Sequence, residues 1–316
     1  MRLLQLPRLE SRGVALALAV VLVAIGFAAV GCATANPTSV ATARGVLRVV
    51  AAENFWGSLA GQLGGSHVHT ASIIDRPGAD PHDYEPTAHD AVAMAEAQVI
   101  VLNGIGYDGW ASKLVAANPV SGRVVITVGD VVGIRPGGNP HRWYSPSDVR
   151  AVLDAVTSAY KRLLPADAAD FDRQHEAVVT QRLGGYFGDV AAIKARYAGT
   201  AVGASESVFT PLAQALGLRL VTPQSLLDAV SEGVDPTAAA KRLVDEQIRE
   251  RRIKVYVYNS QNATPDVQAQ VGAARRAGIP VTTITETMTP AGTSFQAWQV
   301  RQLDALRQAL AQGTGR

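Results

Sequence analysis

The sequence predicts an α/β protein of two lobes, each a parallel β-sheet flanked by helices, with a long helical segment between them. Three observations lead there. Short β-type runs alternate with helical patterns, and that alternation implies right-handed crossovers and a parallel sheet. The alternation occurs twice, once before about residue 165 and once after about residue 198. The 316 residues also suffice for two ordinary domains after a leader is set aside.

The leader comes first in the chain. Arg2, Arg8 and Arg12 stand against the single acid Glu10, and an apolar run over residues 13–30 follows. A basic head, a short apolar run and small residues before a cleavage point describe a secretory signal over residues 1–31. An uncleaved anchor is the alternative, since the run approaches the roughly 18 residues that can span a bilayer. Its small residues and Gly26 weaken that alternative. Cys32 comes next and is the only cysteine, so disulfides and all-thiolate metal sites within the chain are excluded. A lone cysteine at the head of a pattern-free, small and polar segment, residues 32–45, reads as a lipid attachment point on a flexible tether. Charge fits an exported domain. The chain has 29 basic and 27 acidic residues, and removing three arginines and one glutamate with the signal leaves 26 of each. No basic surplus remains for nucleic acid.

The N-terminal lobe, residues 46–165, opens with a strand-like run at 46–52. Further β-type runs lie at 68–74, 98–102 and 124–127, with helical patterns at 55–63 and 87–95 between them. Ser147-Asp148 can cap a helix that ends near Leu164-Pro165. Asp167 can cap the linker helix, residues 166–197. Gly184, Gly185 and Gly188 fall inside it, and each costs about 0.5–1 kcal/mol relative to alanine, so a kink or break is expected there. The C-terminal lobe, residues 198–316, repeats the plan with runs at 200–205, 219–221, 253–258 and 281–285. Helices at 236–251 and 294–311 complete it. No short-period repeat is present, so the chain is not a solenoid.

Two loops carry the chemistry. The first reads Gly78-Ala79-Asp80-Pro81-His82-Asp83-Tyr84-Glu85-Pro86-Thr87, the second Asn139-Pro140-His141-Arg142-Trp143-Tyr144-Ser145-Pro146. Each holds a histidine directly behind a proline and is closed by another proline. Proline fixes φ and removes a donor, so neither loop can become ordinary helix or central strand. The product is a stiff loop with one imidazole in a set direction, as a metal site requires. The other four histidines lack that frame. His67 and His69, two apart at a strand start, can chelate a metal but stand in no rigid loop. His89 reads as a solvated helix position and His175 as an exposed one.

With both loops present in this order, about 60 residues apart, the chain resembles the metal-binding receptors of ABC transporters that import zinc or manganese. The resemblance covers the mature chain, more closely in its first half. It implies the metal-receptor type of periplasmic-binding fold, whose lobes are joined by one long helix and move little. Ala29-Val30-Gly31-Cys32 likewise resembles a bacterial lipobox, with Ala29 where Leu is commoner. The family's third ligand, His or Glu, follows the first strand of the second lobe, and Glu206 in Ser205-Glu206-Ser207 matches it. Glu206 read alone is also a helix N-terminal acid favoured by the macrodipole. The fourth ligand is usually Asp; aligning Ala291-Gly292-Thr293-Ser294 puts Glu286 there, one methylene longer. Asp80 and Asp83 could orient His82, Trp143 and Tyr144 could wall the cleft, and Asn259, Ser260, Gln261 and Asn262 face the same region.

What the resemblance implies is a lipid-anchored receptor on the extracytoplasmic face of the membrane. It would bind one divalent transition metal through His82, His141, Glu206 and Glu286 and hand it to a permease. A separate ATPase supplies energy, since this chain has no G-x-x-x-x-G-K-[ST] loop. Two carboxylates and the lack of a His-rich loop point to manganese (Mn2+); the Irving–Williams order keeps zinc (Zn2+) in contention. Two readings from other classes stay open at this stage. One is an extracytoplasmic zinc hydrolase, with two histidines and a glutamate as ligands and the other glutamate as base, although no H-E-x-x-H occurs. The other is a metal-independent adhesin on the same fold. No residue is assigned a catalytic role, and the chain is read as a non-enzyme.

Overall fold

β1 (Leu47–Glu53) is a Val- and Ala-rich run with six of its seven residues buried, as a central strand covered on both faces should be. α1 (Asn54–Gly64) follows at once and returns through a short turn at Gly65–His67 to β2 (Val68–Ile74). α2 (Ala88–Glu96) starts at a capping box in which the Thr87 side chain accepts from the Asp90 amide while the Asp90 carboxylate accepts from the Thr87 amide. β3 (Val99–Leu102), α3 (Gly109–Ala117), β4 (Val124–Thr127) and α4 (Val128–Val132) complete the first sheet unit. The sheet is parallel throughout, in the order β2-β1-β3-β4.

A computed structural model describes residues 45–79 and 81–316, which belong to one compact unit. The expected signal at residues 1–31, Cys32, all of the tether except Gly45, and Asp80 lie outside the described residues. Among the described residues no helix is long and apolar enough to cross a membrane.

The connection between the sheets departs from the expected form in two places. α5 (Pro146–Leu163) begins with Ser145 at the N-cap position and Pro146 in the first turn, two residues earlier than a Ser147-Asp148 cap would place it. Asp148 instead accepts from Arg142 Nε at 2.7 Å, which ties the second histidine loop to the helix. α6 (Ala168–Glu176) then widens into a π-helical turn over Ala177–Arg182, marked by a Leu183 amide donating five residues back to the Val178 carbonyl at 2.8 Å. α7 (Gly184–Tyr197) restarts at the first glycine. The helix breaks just before the glycines.

The second sheet repeats the first. β5 (Ala201–Ala204), α8 (Thr210–Ala215), β6 (Arg219–Leu220), α9 (Gln224–Ser231), α10 (Ala238–Arg249), β7 (Val255–Asn259), α11 (Pro265–Arg276), β8 (Val281–Ile284) and α12 (Phe295–Thr314) follow in order. The strands are again parallel, in the order β6-β5-β7-β8. In each sheet the chain moves outward on one side of its first strand and then crosses to the other. The carboxyl ends of β1/β3 and β5/β7 are therefore topological switch points, where α/β folds bind ligands.

The two sheets share one core. Phe55 and Trp56 from α1, Trp143 and Tyr144 from the second histidine loop, and Phe295 and Trp298 from α12 belong to one buried apolar cluster. Phe55 and Trp143 stack with centroids 4.0 Å apart. Hydrogen bonds cross as well: the Met288 amide donates to Asn54 Oδ1 at 3.3 Å, and the Tyr144 hydroxyl to the Thr285 carbonyl at 2.6 Å. Sliding the lobes would open this core to water, so the packing favours small relative movement.

Candidate metal centre

His141 is fully buried, and its two ring nitrogens face different chemistry. The Asn139 side chain donates through Nδ2 to the Ser207 carbonyl at 2.8 Å, which fixes its Oδ1 as the acceptor toward His141. That oxygen lies 2.9 Å from the His141 amide nitrogen and 3.0 Å from Nδ1. Nδ1 must therefore carry the proton, and Nε2 keeps a lone pair that no group among the described residues satisfies. Burial first, then the neighbouring His82 and Arg142, hold the imidazole pKa down to about 3. His141 is a neutral, oriented base at any physiological pH, and the tautomer leaves Nε2 for a metal. Pro140 and the packing of Trp143, whose ring sits 5.3 Å from the imidazole edge-on, keep it there.

His82 lies at the exposed side of the cleft, its ring edge-on to Tyr107 at 4.8 Å. Tyr107 also approaches His141, at 5.9 Å between centroids, so one aromatic ring contacts both imidazoles. Its hydroxyl reaches the other lobe and donates to Glu286 Oε2 at 3.2 Å. The loop presenting Tyr107 is strained. Gly104, Ile105 and Gly106 have φ of 70°, 60° and 89°, and a left-handed β-branched residue is an outlier. Asp108 holds the loop by accepting from the Asn103 and Gly104 amides, both at 2.7 Å. Asn103 in turn accepts from Trp56 Nε1 at 3.0 Å and donates to the Pro140 carbonyl at 3.0 Å, next to His141. Sequence reasoning passed over this loop; a Gly-Ile-Gly-Tyr-Asp run straight after a buried strand was its available signal.

From the second lobe, Glu206 follows β5 and is fully buried, while Glu286 follows β8 and is half-buried. Asn259, the last residue of β7, joins them: its Nδ2 donates to Glu206 Oε1 at 2.5 Å and to Glu286 Oε1 at 3.1 Å. Asn262 Nδ2 donates to Glu206 Oε2 at 2.8 Å. Gln261 Oε1 accepts from the Glu286 and Thr287 amides at 2.8 and 2.9 Å and so places the Glu286 backbone. Trp143 and Tyr144 are both fully buried, and Asp83 lines a cavity of about 170 Å³ with His82, Asn259, Asn262 and Glu286. Thus the four residues singled out in the sequence are linked by one chain of contacts across the cleft. His82 and His141 flank Tyr107, Tyr107 touches Glu286, and Asn259 bridges Glu286 to Glu206.

Below this cleft lies a second pair of carboxyls that the sequence did not reveal. Glu53 ends β1 and is fully buried, and neither of its oxygens receives a hydrogen bond. Burial, then the charge of Asp108, pushes its pKa well above the ordinary carboxylate range. Burial raises Asp108 too, against the Gly104 and Asn103 amides that hold it down. The amides make Asp108 the ionised partner. Glu53 is the partner that holds the proton, and a hydrogen bond from it to Asp108 accounts for one of its two orphan oxygens.

The other histidines go elsewhere. His67 sits in the turn before β2, with Nδ1 3.6 Å from Asp167 and Nε2 3.1 Å from Asp170. These three ligand-type residues lie close enough for a metal, yet both ring nitrogens face carboxylates and Arg173 holds the other oxygen of Asp170. The cluster is a polar clamp between the first lobe and the start of α6. His69 and His89 are exposed, and His175 is half-buried against Asp154 at 2.8 Å rather than exposed.

A model of the family described as zinc-uptake complex component A, periplasmic (ZnuA), matches residues 49–309. Among curated proteins, the iron-binding protein YfeA of Yersinia pestis is 32% identical over 116 residues, 35% of this chain and 37% of its own. The zinc-binding lipoprotein AdcA of Streptococcus pneumoniae serotype 4 is 24% identical, covering 79% of this chain and 53% of its own. The manganese ABC transporter substrate-binding lipoprotein PsaA of Streptococcus pneumoniae is 25% identical, with 77% and 81% covered. The matches span between 37% and 54% of the length of the first curated relatives. Among solved structures, the Mn-bound periplasmic metal binding protein of Candidatus Liberibacter asiaticus superposes with a TM-score of 0.68 at 18% identity, over 84% of this chain and 99% of that one. That likeness shows the fold.

Proposed function

This chain belongs to the family of zinc-uptake complex component A, and we propose that it captures a divalent transition metal, zinc or manganese, between its lobes and delivers it to an ABC permease. The observation that carries the reading is the buried Nε2 lone pair of His141, satisfied by no group among the described residues and held on a fixed tautomer. A buried polar atom without a partner needs an explanation, and a metal supplies one. His82, His141, Glu206 and Glu286 are the proposed ligands. Two neutral imidazoles and two carboxylates balance the charge of a divalent ion. Relatives named for zinc and for manganese support both cargoes. The hydrolase and adhesin readings find no support in a family described as a component of zinc uptake.

The test is calorimetric titration of the metal-free mature chain with zinc and with manganese. One ion bound per chain, without turnover, is expected. Binding of neither metal, or hydrolysis dependent on the ion, contradicts the proposal.

Membrane attachment is the finer part of the reading. Relatives with the word lipoprotein in their names, together with the Ala29-Val30-Gly31-Cys32 pattern, support acylation at Cys32, which tethers the lobes outside the membrane beside the permease and its separate ATPase. Cys32→Ala should release the protein from the membrane fraction. Full retention of the variant there contradicts it.

A further inference from the structure

The Asn259–Asn262 amide pair engages both oxygens of Glu206 and one of Glu286. The orientation of these amides is set by their partners. Asn259 Oδ1 accepts from the Gln261 amide at 2.9 Å, so its nitrogen must face the two carboxylates. Asn262 Nδ2 faces the Val230 carbonyl at 3.1 Å as well as Glu206, and two acceptors require a donor between them. Val230 lies on α9, so Asn262 stands fixed between that helix and the ligand.

From this geometry we infer that Asn262, with Asn259, sets metal selectivity by holding Glu206 to one-oxygen coordination. A carboxylate chelates through both oxygens only when both are turned to the ion. Here Oε2 is drawn toward Asn262 while Oε1 faces Asn259, the residue that also meets Glu286. Such a site offers a small number of donors. Zinc is content with four, in a tetrahedron. Manganese prefers about six oxygen-rich positions and gains most from a chelating carboxylate. The amides therefore disfavour manganese beyond the ordinary Irving–Williams order, although the two carboxylates by themselves point toward it. Asn262 is a specificity-determining residue that acts through Glu206.

This inference rests on the receptor reading, and its test separates the two. Zinc and manganese affinities are measured for the wild type, Asn262→Ala and Asn262→Leu, with each variant checked for an unchanged melting curve without metal. The manganese affinity relative to zinc should rise by about tenfold or more in both variants, on the scale by which supporting residues tune a metal site. Asn262→Gln, which keeps an amide, should return the ratio toward wild type. A ratio within about twofold of wild type in the Ala and Leu variants overturns the inference while the receptor reading stands. Loss of both metals in folded variants also overturns it, because a residue that only selects leaves the four ligands in place. A wild type that binds neither metal overturns both readings together.

Discussion

A chain carrying His141→Ala binds zinc and manganese more weakly than the wild type by well over 100-fold, and this is the largest effect expected of a single substitution. Losing a residue that merely supports a ligand costs roughly 10–100-fold. His141 should exceed that range because its Nε2 is proposed to touch the ion. Asn139→Ala is the informative companion. It removes the acceptor that holds the proton on Nδ1 and should fall inside the range, since the imidazole survives but can turn over to the other tautomer. Acidity does not complicate the comparison at His141. Its pKa of about 3 keeps the ring neutral, so the ion displaces no proton from it at neutral pH. Equal losses in the two variants would make His141 a structural residue rather than a ligand.

The second large effect concerns stability. Burial and Asp108 hold the Glu53 carboxyl protonated well above the usual 4.5 of glutamate. Between that value and the raised one, the folded protein keeps a proton that the unfolded chain has released. Unfolding therefore gives up a proton, and stability falls as pH rises, by about 1.4 kcal/mol per pH unit across the window. Below the ordinary value both states are protonated and the penalty vanishes. Glu53→Gln keeps a neutral donor beside Asp108 without a proton to lose. Its stability curve should lack this descent above about pH 4.5, and it should be more stable than the wild type at neutral pH. Denaturant unfolding at a series of pH values measures both. Parallel curves for the two proteins would mean that Glu53 is ionised in the fold, which no hydrogen bond to its oxygens supports.

The unequal legibility of the sequence has a physical basis. Strands were readable because Val, Ile and alternation are local: each observed strand falls within or beside a run visible in the sequence, and β2 and β4 do so with the same limits. His82 and His141 were readable because prolines advertise a rigid loop in a few residues. The break in the linker was anticipated from Gly184 and Gly185, but the π turn at Ala177–Arg182 was not, since a shift from four-residue to five-residue hydrogen bonds leaves no compositional mark. The region that Asn259 to Asn262 face was legible, but the particular partners across the fold were not. Asn259 meets Glu206 from 53 residues away and Tyr107 meets Glu286 from 179, and nothing in either neighbourhood encodes the other. The Glu53–Asp108 pair is the extreme case. One ends a strand, the other precedes a helix, and each alone reads as an ordinary acid at an element boundary.

Anomalous diffraction from crystals loaded with one equivalent of zinc tests the central claim most directly. The account predicts a single strong peak within coordination distance, roughly 2.0–2.2 Å, of an imidazole nitrogen of His82, Nε2 of His141, and an oxygen each of Glu206 and Glu286. A peak at His67, Asp167 and Asp170 instead, or none in the cleft between the lobes, would contradict it.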